Sequence, residues 1–417
     1  MGSKSPSKAS GQGKTDMTGR FTRRVFQATA LTAGVGFLQS RSVAALKNPR
    51  KFRVGIIGAT GRGDYGHAVD IPFTKLPNVE VVAVSDGNPA GLKKAAERLK
   101  LRTAYADYRE MLDKESLDLV AICPRWIDQH HAMLMAAANA NCHVYIEKPF
   151  CRSLAESDEV RAAFAKKGLK IAIAHISQYS PVLDTALKLI DQGKLGEVLE
   201  LRGRGKEDQR GGAEDLWVLG SHIFGLMRAF GGGDPIECSA RVTHQNERIR
   251  KEHVIDGNEG LGKLAGDRIQ AEYRFKNGVV GSFGSRKGMA ANPSRFALQV
   301  FGSRGILEIE SGYLAPATIL LDGSWSPGRS GKDWKKVTSA GISEPEPRSD
   351  NTYEDGHLAA IKDLFDAIEQ DRPPKCGIDD AIGITEMILA VFESERLGRP
   401  VSLPLESRVH PLDQLPG

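Results

Sequence analysis

The chain has 417 residues, 41% of them hydrophobic and 26% charged, with a formal net charge of +5. That length is enough for two domains with separate cores. The positive charge sits at one end: residues 1–45 hold seven Lys/Arg and one Asp, and without those six net charges the remainder stands at −1, which excludes the basic footprint of a nucleic-acid-binding protein.

In chain order, a polar, basic stretch leads into TRRVFQ, then the apolar run Ala28 to Leu38, then the small residues SVAA. Paired arginines (Arg23, Arg24) ahead of such a run match a twin-arginine export signal. The run is about half the roughly 20 residues that a spanning helix needs. Residues 1–45 are therefore expected to be a leader cut near Ala44 or Ala45. The mature protein would be periplasmic or exported, without stable membrane insertion. A disordered tail with a chance arginine pair is the competing reading.

From Lys51 onward short apolar strands alternate with helices. FRVGII, VEVVAVS, LDLVAIC, HVYIE and KIAIAH read as strands, and the stretch Lys93–Lys100, HAMLMAAANA and SLAESDEVRAAFAKK as helices. Ser153 and Glu156 have capping-box spacing. This alternation predicts a parallel, doubly wound sheet over about residues 50–175. After Ser180 the pattern changes. RIQAEYRF turns at Asn277–Gly278 into GVVGSFGSR, and RFALQVFG turns at Ser303–Arg304–Gly305 into ILEIES. These are hairpins of an antiparallel sheet, so residues 176–405 form a second α/β domain. Residues 322–352 read as a long loop, and two helices follow it. The five cysteines are odd in number and lack a C-x-x-C pair; they read as small buried hydrophobes.

The turn GIIGATGRGDYGH follows the first strand. A helix is expected to start near Tyr65. Gly58, Thr60, Gly61, Arg62 and Gly63 would then let a dinucleotide diphosphate approach the backbone at a helix N-terminus. Asp86 ends the second strand roughly 20 residues on, where an acid binds a ribose 2′-hydroxyl and disfavours a 2′-phosphate. The expected cofactor is thus NAD, with NADP disfavoured. A structural turn without a ligand fits the same glycines. Pro124 and Arg125, and Glu147 and Lys148, follow two further strands, at the sheet edge where open α/β proteins bind ligands. Beside a cationic nicotinamide the Lys148 ammonium would be disfavoured, which makes it a usable acid or base.

The EKP run at Glu147–Pro149 behind that turn, with the distal segment HLAAIKDLFDAIEQDRPPKCGIDDAIGITEMILAVFESERLGRPV, resembles the glucose–fructose oxidoreductase / inositol dehydrogenase / rhizopine-catabolism family. The resemblance spans nearly all of the chain after residue 45 and is similar to an exported bacterial subgroup. It implies an N-terminal Rossmann domain and a C-terminal α/β domain with a large, open, mostly antiparallel sheet. It also implies NAD(P)-dependent hydride transfer from a small carbohydrate, a Lys148–Pro149 bond that is often cis, and a homo-oligomer. By the resemblance Lys148 is catalytic, His222 matches the histidine of the family's D-x-G-x-H segment, and His131 begins the helix before the EKP strand. His175 and Tyr179 lie where relatives line the substrate pocket.

There are departures. Val218 stands where the family has an aspartate four residues before the histidine, and Gly225 where one follows it. Asp215, seven before His222, would share its helix face and is the candidate replacement. His222 also fits a buried structural histidine. Lys148, His222 and His175 come without carboxylate-rich ligand spacing, so no metal is expected. Arg202, Arg204, Lys206 and Arg210 fit either an anion subsite or a solvated loop, and Trp325 and Trp334 either sugar stacking or local packing. The leading expectation is an oxidoreductase acting on a sugar or polyol hydroxyl. The alternatives are a redox-neutral sugar-modifying enzyme (lyase, glycosidase or epimerase type) with tightly bound NAD, and an inactive nucleotide-binding protein.

Overall fold

Runs of apolar residues become buried strands wherever helices cover both faces of a sheet. The computed structural model describes residues 51–416; the expected leader, residues 1–45, lies outside them. Five such runs and one short edge strand form one sheet: β1 (Phe52–Ile57), β2 (Val79–Ser85), the edge strand β3 (Ala104–Tyr105), β4 (Leu119–Ile122), β5 (His143–Ile146) and β6 (Ile171–Ile173). Their order is β3-β2-β1-β4-β5-β6 and every pair is parallel. This is the doubly wound arrangement, with its switch point between β1 and β4.

The helices start where their caps direct. Asn88 accepts from the Ala90 and Gly91 N–H groups to begin α1 (Pro89–Leu99), and Asp107 caps α2 (Tyr108–Lys114). Then come α3 (His130–Asn139), α4 (Leu154–Lys167) and α5 (Pro181–Asp191). The expected box on α4 is half realised. Ser153 accepts from the Glu156 N–H at 3.1 Å, but the Glu156 carboxylate turns to the Arg152 N–H. The helix expected near Tyr65 does not form. Asp64 and Ala68, with Gly61, Gly63 and Gly66, all have positive φ, so turns run from Thr60 to Ile71 before a short 3-10 turn at Pro72–Lys75.

The second half is built on an eleven-stranded sheet. Its strands are β7 (Val198–Arg204), β8 (Pro235–His244), β9 (Glu247–Arg248), then, past a small hairpin of β10 (Ile255–Gly257) and β11 (Gly262–Leu264), β12 (Arg268–Phe275), β13 (Val280–Arg286), β14 (Ala297–Gly302), β15 (Gly305–Glu310), β16 (Ala317–Leu320), β17 (Lys335–Thr338), β18 (Gly341–Ile342) and β19 (Val401–Ser402). All contacts are antiparallel except that of β7 with β13. The turns at Asn277–Gly278 and at Ser303–Arg304 join the strand pairs expected of them. Between the strands run α6 (Ala213–Asp215), α7 (Ser221–Gly231), α8 (Pro327–Ser330), α9 (Tyr353–Glu369) and α10 (Ile378–Leu397). The segment 322–352 is no simple loop: α8, β17 and β18 lie within it and extend the sheet.

Helices α7 and α10 cover one face of this sheet, with Phe224 against Tyr273 and Phe283. The opposite face is open and polar, carrying Arg202, Arg241, Glu272 and Gln299 around a shallow depression. Helix α9 returns to the first sheet, where the Tyr145 hydroxyl meets His357 Nδ1 at 2.7 Å.

Candidate functional site

The glycine turn after β1 folds on itself. Ala59 and Asp64 bridge each other, and the Gly61 N–H donates to the Asp64 carboxylate at 2.8 Å. Arg62 and Asp64 both donate their N–H groups to the Ala59 carbonyl. Asp86 accepts the Thr60 hydroxyl at 2.6 Å, the Thr60 N–H, the Tyr65 hydroxyl at 3.1 Å and the Asn88 N–H at 2.9 Å. It is 1% exposed. The acid expected at the ribose thus holds the turn together in this structure.

The glycines are explained by packing. A Cβ on Gly58 would enter the Tyr65 ring, on Gly63 the Arg125 and Trp126 backbone, and on Gly66 the Cys123 carbonyl and Glu147. Gly61 alone among the turn's glycines faces open space. Beside it the Arg62 guanidinium lies over the Trp126 ring at 4.7 Å and pairs with Asp128.

A histidine locks the strand ends together, and it is His130, not His131. The buried His130 ring reaches the Pro124 carbonyl through Nε2 at 2.8 Å and the Pro149 carbonyl through Nδ1 at 2.8 Å. His131 instead pairs with Glu159 on the helix surface. Two adjacent histidines left the choice to burial, which the sequence does not display. The Lys148–Pro149 bond is cis.

Lys148 Nζ donates to the Val218 carbonyl at 3.1 Å. That carbonyl belongs to a π turn, Leu216–Gly220, leading into α7, and widened turns of this kind recur at functional sites. Burial lowers the Lys148 pKa, opposed by Glu147 and Glu259 and reinforced by Arg125 and Arg210. His222 lies next to it, with its ring 5.1 Å from that of His175. Burial, then Lys148, holds His222 well below the ordinary imidazole range, and the same causes take His175 to about 3. The Nδ1 atoms of both rings are buried without a partner in the protein.

Two expected residues are elsewhere. Asp215 is fully buried and accepts from Ser285 Oγ at 2.6 Å and from the Glu207 N–H at 3.1 Å. It closes the 205–212 loop and cannot replace the missing aspartate, because the π turn between it and His222 breaks the helical phase that the spacing assumed. Tyr179 is buried against the Cys376 backbone. Of the four cations after β7, Arg202 pairs with Glu200 and Arg204 with Glu207, whereas Lys206 and Arg210 line the cleft. Trp325 packs on Phe301 and donates to the Gly302 carbonyl.

The cleft encloses about 510 Å³ and is lined by His67, Arg125, Lys148, Lys206, Arg210, Val218, His222, Glu259, Glu310, Tyr313, Tyr353 and His357, among others. His67 is the member that sequence reasoning missed. Glu147 is fully buried and accepts from the His67 N–H at 2.9 Å, the His67 ring at 2.5 Å and the Lys148 N–H at 2.8 Å. Burial would raise its pKa, but the bond and charge of His67, then Lys148, bring it to about 2. The available signal was G-D-Y-G-H itself: a histidine within a turn that ends at the sheet's carboxyl edge.

A nicotinamide dinucleotide suits this arrangement at its reactive end. Pro124, Glu147 and Lys148 stand at strand carboxyl ends, and the cleft opens beside them. Its diphosphate would meet the Gly61 edge and the guanidinium groups of Arg62 and Arg125 instead of a helix N-terminus.

A parallel 3-2-1-4-5-6 sheet with a buried lysine at its edge, facing a second, sheet-based domain, defines a two-domain Rossmann oxidoreductase. Residues 52–175 match the oxidoreductase family with NAD-binding Rossmann fold, and residues 187–403 match that family's C-terminal alpha/beta domain. The chain belongs to this family, that of glucose–fructose oxidoreductase and inositol dehydrogenase. A myo-inositol 2-dehydrogenase of Thermotoga maritima is 23% identical over 85% of the chain and 98% of its own length. The levoglucosan dehydrogenase of Pseudarthrobacter phenanthrenivorans is 23% identical over 60% of the chain and 72% of its own length. A levoglucosan dehydrogenase solved with NADH and levoglucosan superposes with a TM-score of 0.69 at 19% identity, covering 85% of this chain and all of that one. An Agrobacterium radiobacter oxidoreductase solved with NAD+, L-tartaric acid and magnesium gives 0.65 at 17% identity, covering 84% and 98%. At such identities the superpositions establish the fold.

Proposed function

We propose that the protein oxidises a hydroxyl of a small sugar or polyol, passing hydride to NAD. The observation that carries this reading is a buried lysine, Lys148, held by the Val218 carbonyl at the mouth of a cleft rich in histidines and aromatic rings. The cofactor, when bound, supplies the two-electron acceptor. The chain supplies the rest. Lys148 Nζ, fixed in place, meets the reacting hydroxyl, and His222 faces the same space. Tyr313 and Tyr353 offer apolar faces to a sugar ring. Lys206 and Arg210 share Asp208 and line the polar end of the cleft.

NAD is proposed over NADP because Arg98, the cation at the end of α1, is engaged with the buried Asp70. A 2′-phosphate needs a free one. The Arg23–Arg24 leader supports export, and the open polar sheet face supports self-association; cell fractionation and light scattering test these two.

The test of function is to purify the protein from its native compartment, release and identify any nucleotide, and follow absorbance of the reduced nicotinamide over a panel of aldoses, inositols and anhydrosugars. Turnover with added NAD supports the proposal. No nucleotide binding and no turnover overturns it. Reduction and reoxidation of bound NAD without an external acceptor would establish the redox-neutral alternative instead.

A further inference from the structure

The family's usual aspartate partner for His222 is absent and the Lys148 ammonium already donates to the Val218 carbonyl, so the proton leaving the hydroxyl needs another acceptor. His222 is a poor one. It sits beside Lys148 and His175, has no carboxylate, and burial disfavours its charged form. A base works best when its pKa lies near the operating pH and its cation is stabilised. One imidazole lining the cleft does have a carboxylate behind it.

We propose that His67, oriented by Glu147 and lining the cleft, is the catalytic base. This rests on the hydride-transfer reading above. Glu147 accepts from both the main-chain N–H and the ring Nδ1 of His67. Nδ1 therefore carries the proton, and Nε2 is left bare for a substrate. The His67 ring stacks on Tyr353 at 5.2 Å, which fixes its second rotational degree of freedom. Its side chain is 30% exposed, so a proton received there has a route to solvent.

With the dinucleotide bound as two-electron acceptor, the substrate C–H would leave as hydride with both its electrons, the O–H bonding pair would become the carbonyl π bond, and the hydroxyl proton would go to His67 Nε2. Glu147 stays ionised and is a positioning residue. The groups facing His67 are Glu147 and Lys148 from the end of β5, Tyr353 and His357 from α9, and His222 from α7. Of these only Glu147 bonds the ring.

The arrangement explains why the turn abandons a helix. A phosphate-binding helix starting near Tyr65 would carry position 67 away along its axis, whereas the positive-φ turn at Gly66 folds His67 back onto Glu147.

The test uses the full mature chain with NAD and whichever aldose, inositol or anhydrosugar in the panel turns over fastest. His67→Asn is expected to lower kcat by about 100- to 1,000-fold with KM little changed, and to alter the pH dependence of kcat/KM. Imidazole added to His67→Ala is expected to restore part of the rate. A second readout needs no turnover: 15N-histidine NMR should show the Nδ1–H tautomer for His67, lost in Glu147→Gln. Wild-type turnover together with full activity and an unchanged pH profile in His67→Asn would overturn this inference alone. Absence of wild-type turnover on every sugar would overturn the functional reading and this inference with it. Thermal unfolding of each variant separates loss of chemistry from loss of fold.

Discussion

Asp86 takes both hydrogen-bond donors of Thr60, the hydroxyl at 2.6 Å and the main-chain N–H. The Thr60 side chain in turn leans on Gly91 of α1, where an added Cβ would stand 2.0 Å from its oxygen. Threonine at the third position of the glycine motif is therefore a fastening between two βα units.

That fastening yields a prediction. Asp86→Ala would strand the Thr60 donors, the Tyr65 hydroxyl and the Asn88 N–H, each buried unpaired donor costing about 1–3 kcal/mol. Denaturant unfolding is expected to show a loss of about 3–5 kcal/mol. The ratio of NAD to NADP affinity, measured by calorimetry, is expected to move less than about tenfold, or 1.4 kcal/mol. A larger swing toward NADP would return Asp86 to the ribose.

The glycines of the turn separate in the same way. Gly63 has φ of +87° and a Cβ added there would stand 2.4 Å from the Arg125 backbone nitrogen, whereas Gly61, at the same φ, faces open space. Gly63→Ala is expected to displace the turn and cost about 3 kcal/mol or more, strain and overpacking acting together. Gly61→Ala carries only the backbone strain, about 1 kcal/mol. If Gly61→Ala nevertheless abolishes NAD binding at nearly full stability, the cofactor approaches the backbone there.

Both sheets were legible from hydrophobic runs and turn residues, since strand burial and hairpin chemistry are local. The position of Lys148 at a strand end beside the cleft was legible because EKP follows a strand. What failed depended on backbone geometry that no pattern carries. A glycine turn reads the same whether a helix follows it or not, so His67 stayed hidden. Asp215 was placed on the face of His222 by a 3.6-residue period that the π turn interrupts. His130 and His131 differ only in which of them the packing buries.

Lys148→Ala is expected to abolish hydride transfer, by about a thousandfold or more, while dinucleotide binding falls little. The ammonium contacts the Val218 carbonyl and the reacting end of the cleft, remote from Arg62 and the Gly61 edge. Fluorescence titration with NADH alongside single-turnover kinetics checks the two halves. Full activity in this variant would remove the lysine from the mechanism.

Stability should depend on pH through the buried imidazoles. Burial, then Lys148, holds His175 at about 3, and burial, against the pull of Glu147, holds His357 at about 4, both from an ordinary 6.5. Between those values and 6.5 the unfolded chain binds protons that the folded chain refuses, so stability rises with pH and is lost as pH falls below 6.5. Glu147, at about 2 against an ordinary 4.5, acts in the same direction further down: its contribution is present above 4.5 and is lost as pH falls toward 2. Each histidine supplies a slope approaching 1.4 kcal/mol per pH unit, so the two cost about 2 kcal/mol between pH 6 and pH 5. Urea midpoints across that interval measure this sum together with the same-signed contributions of His130, His222 and His410, whose pKa values burial also lowers. His357→Asn also breaks the bond to Tyr145 and lowers stability at every pH, yet it should flatten the slope by close to one proton. A variant with lower stability and an unaltered slope would mean that His357 takes up its proton within the folded protein.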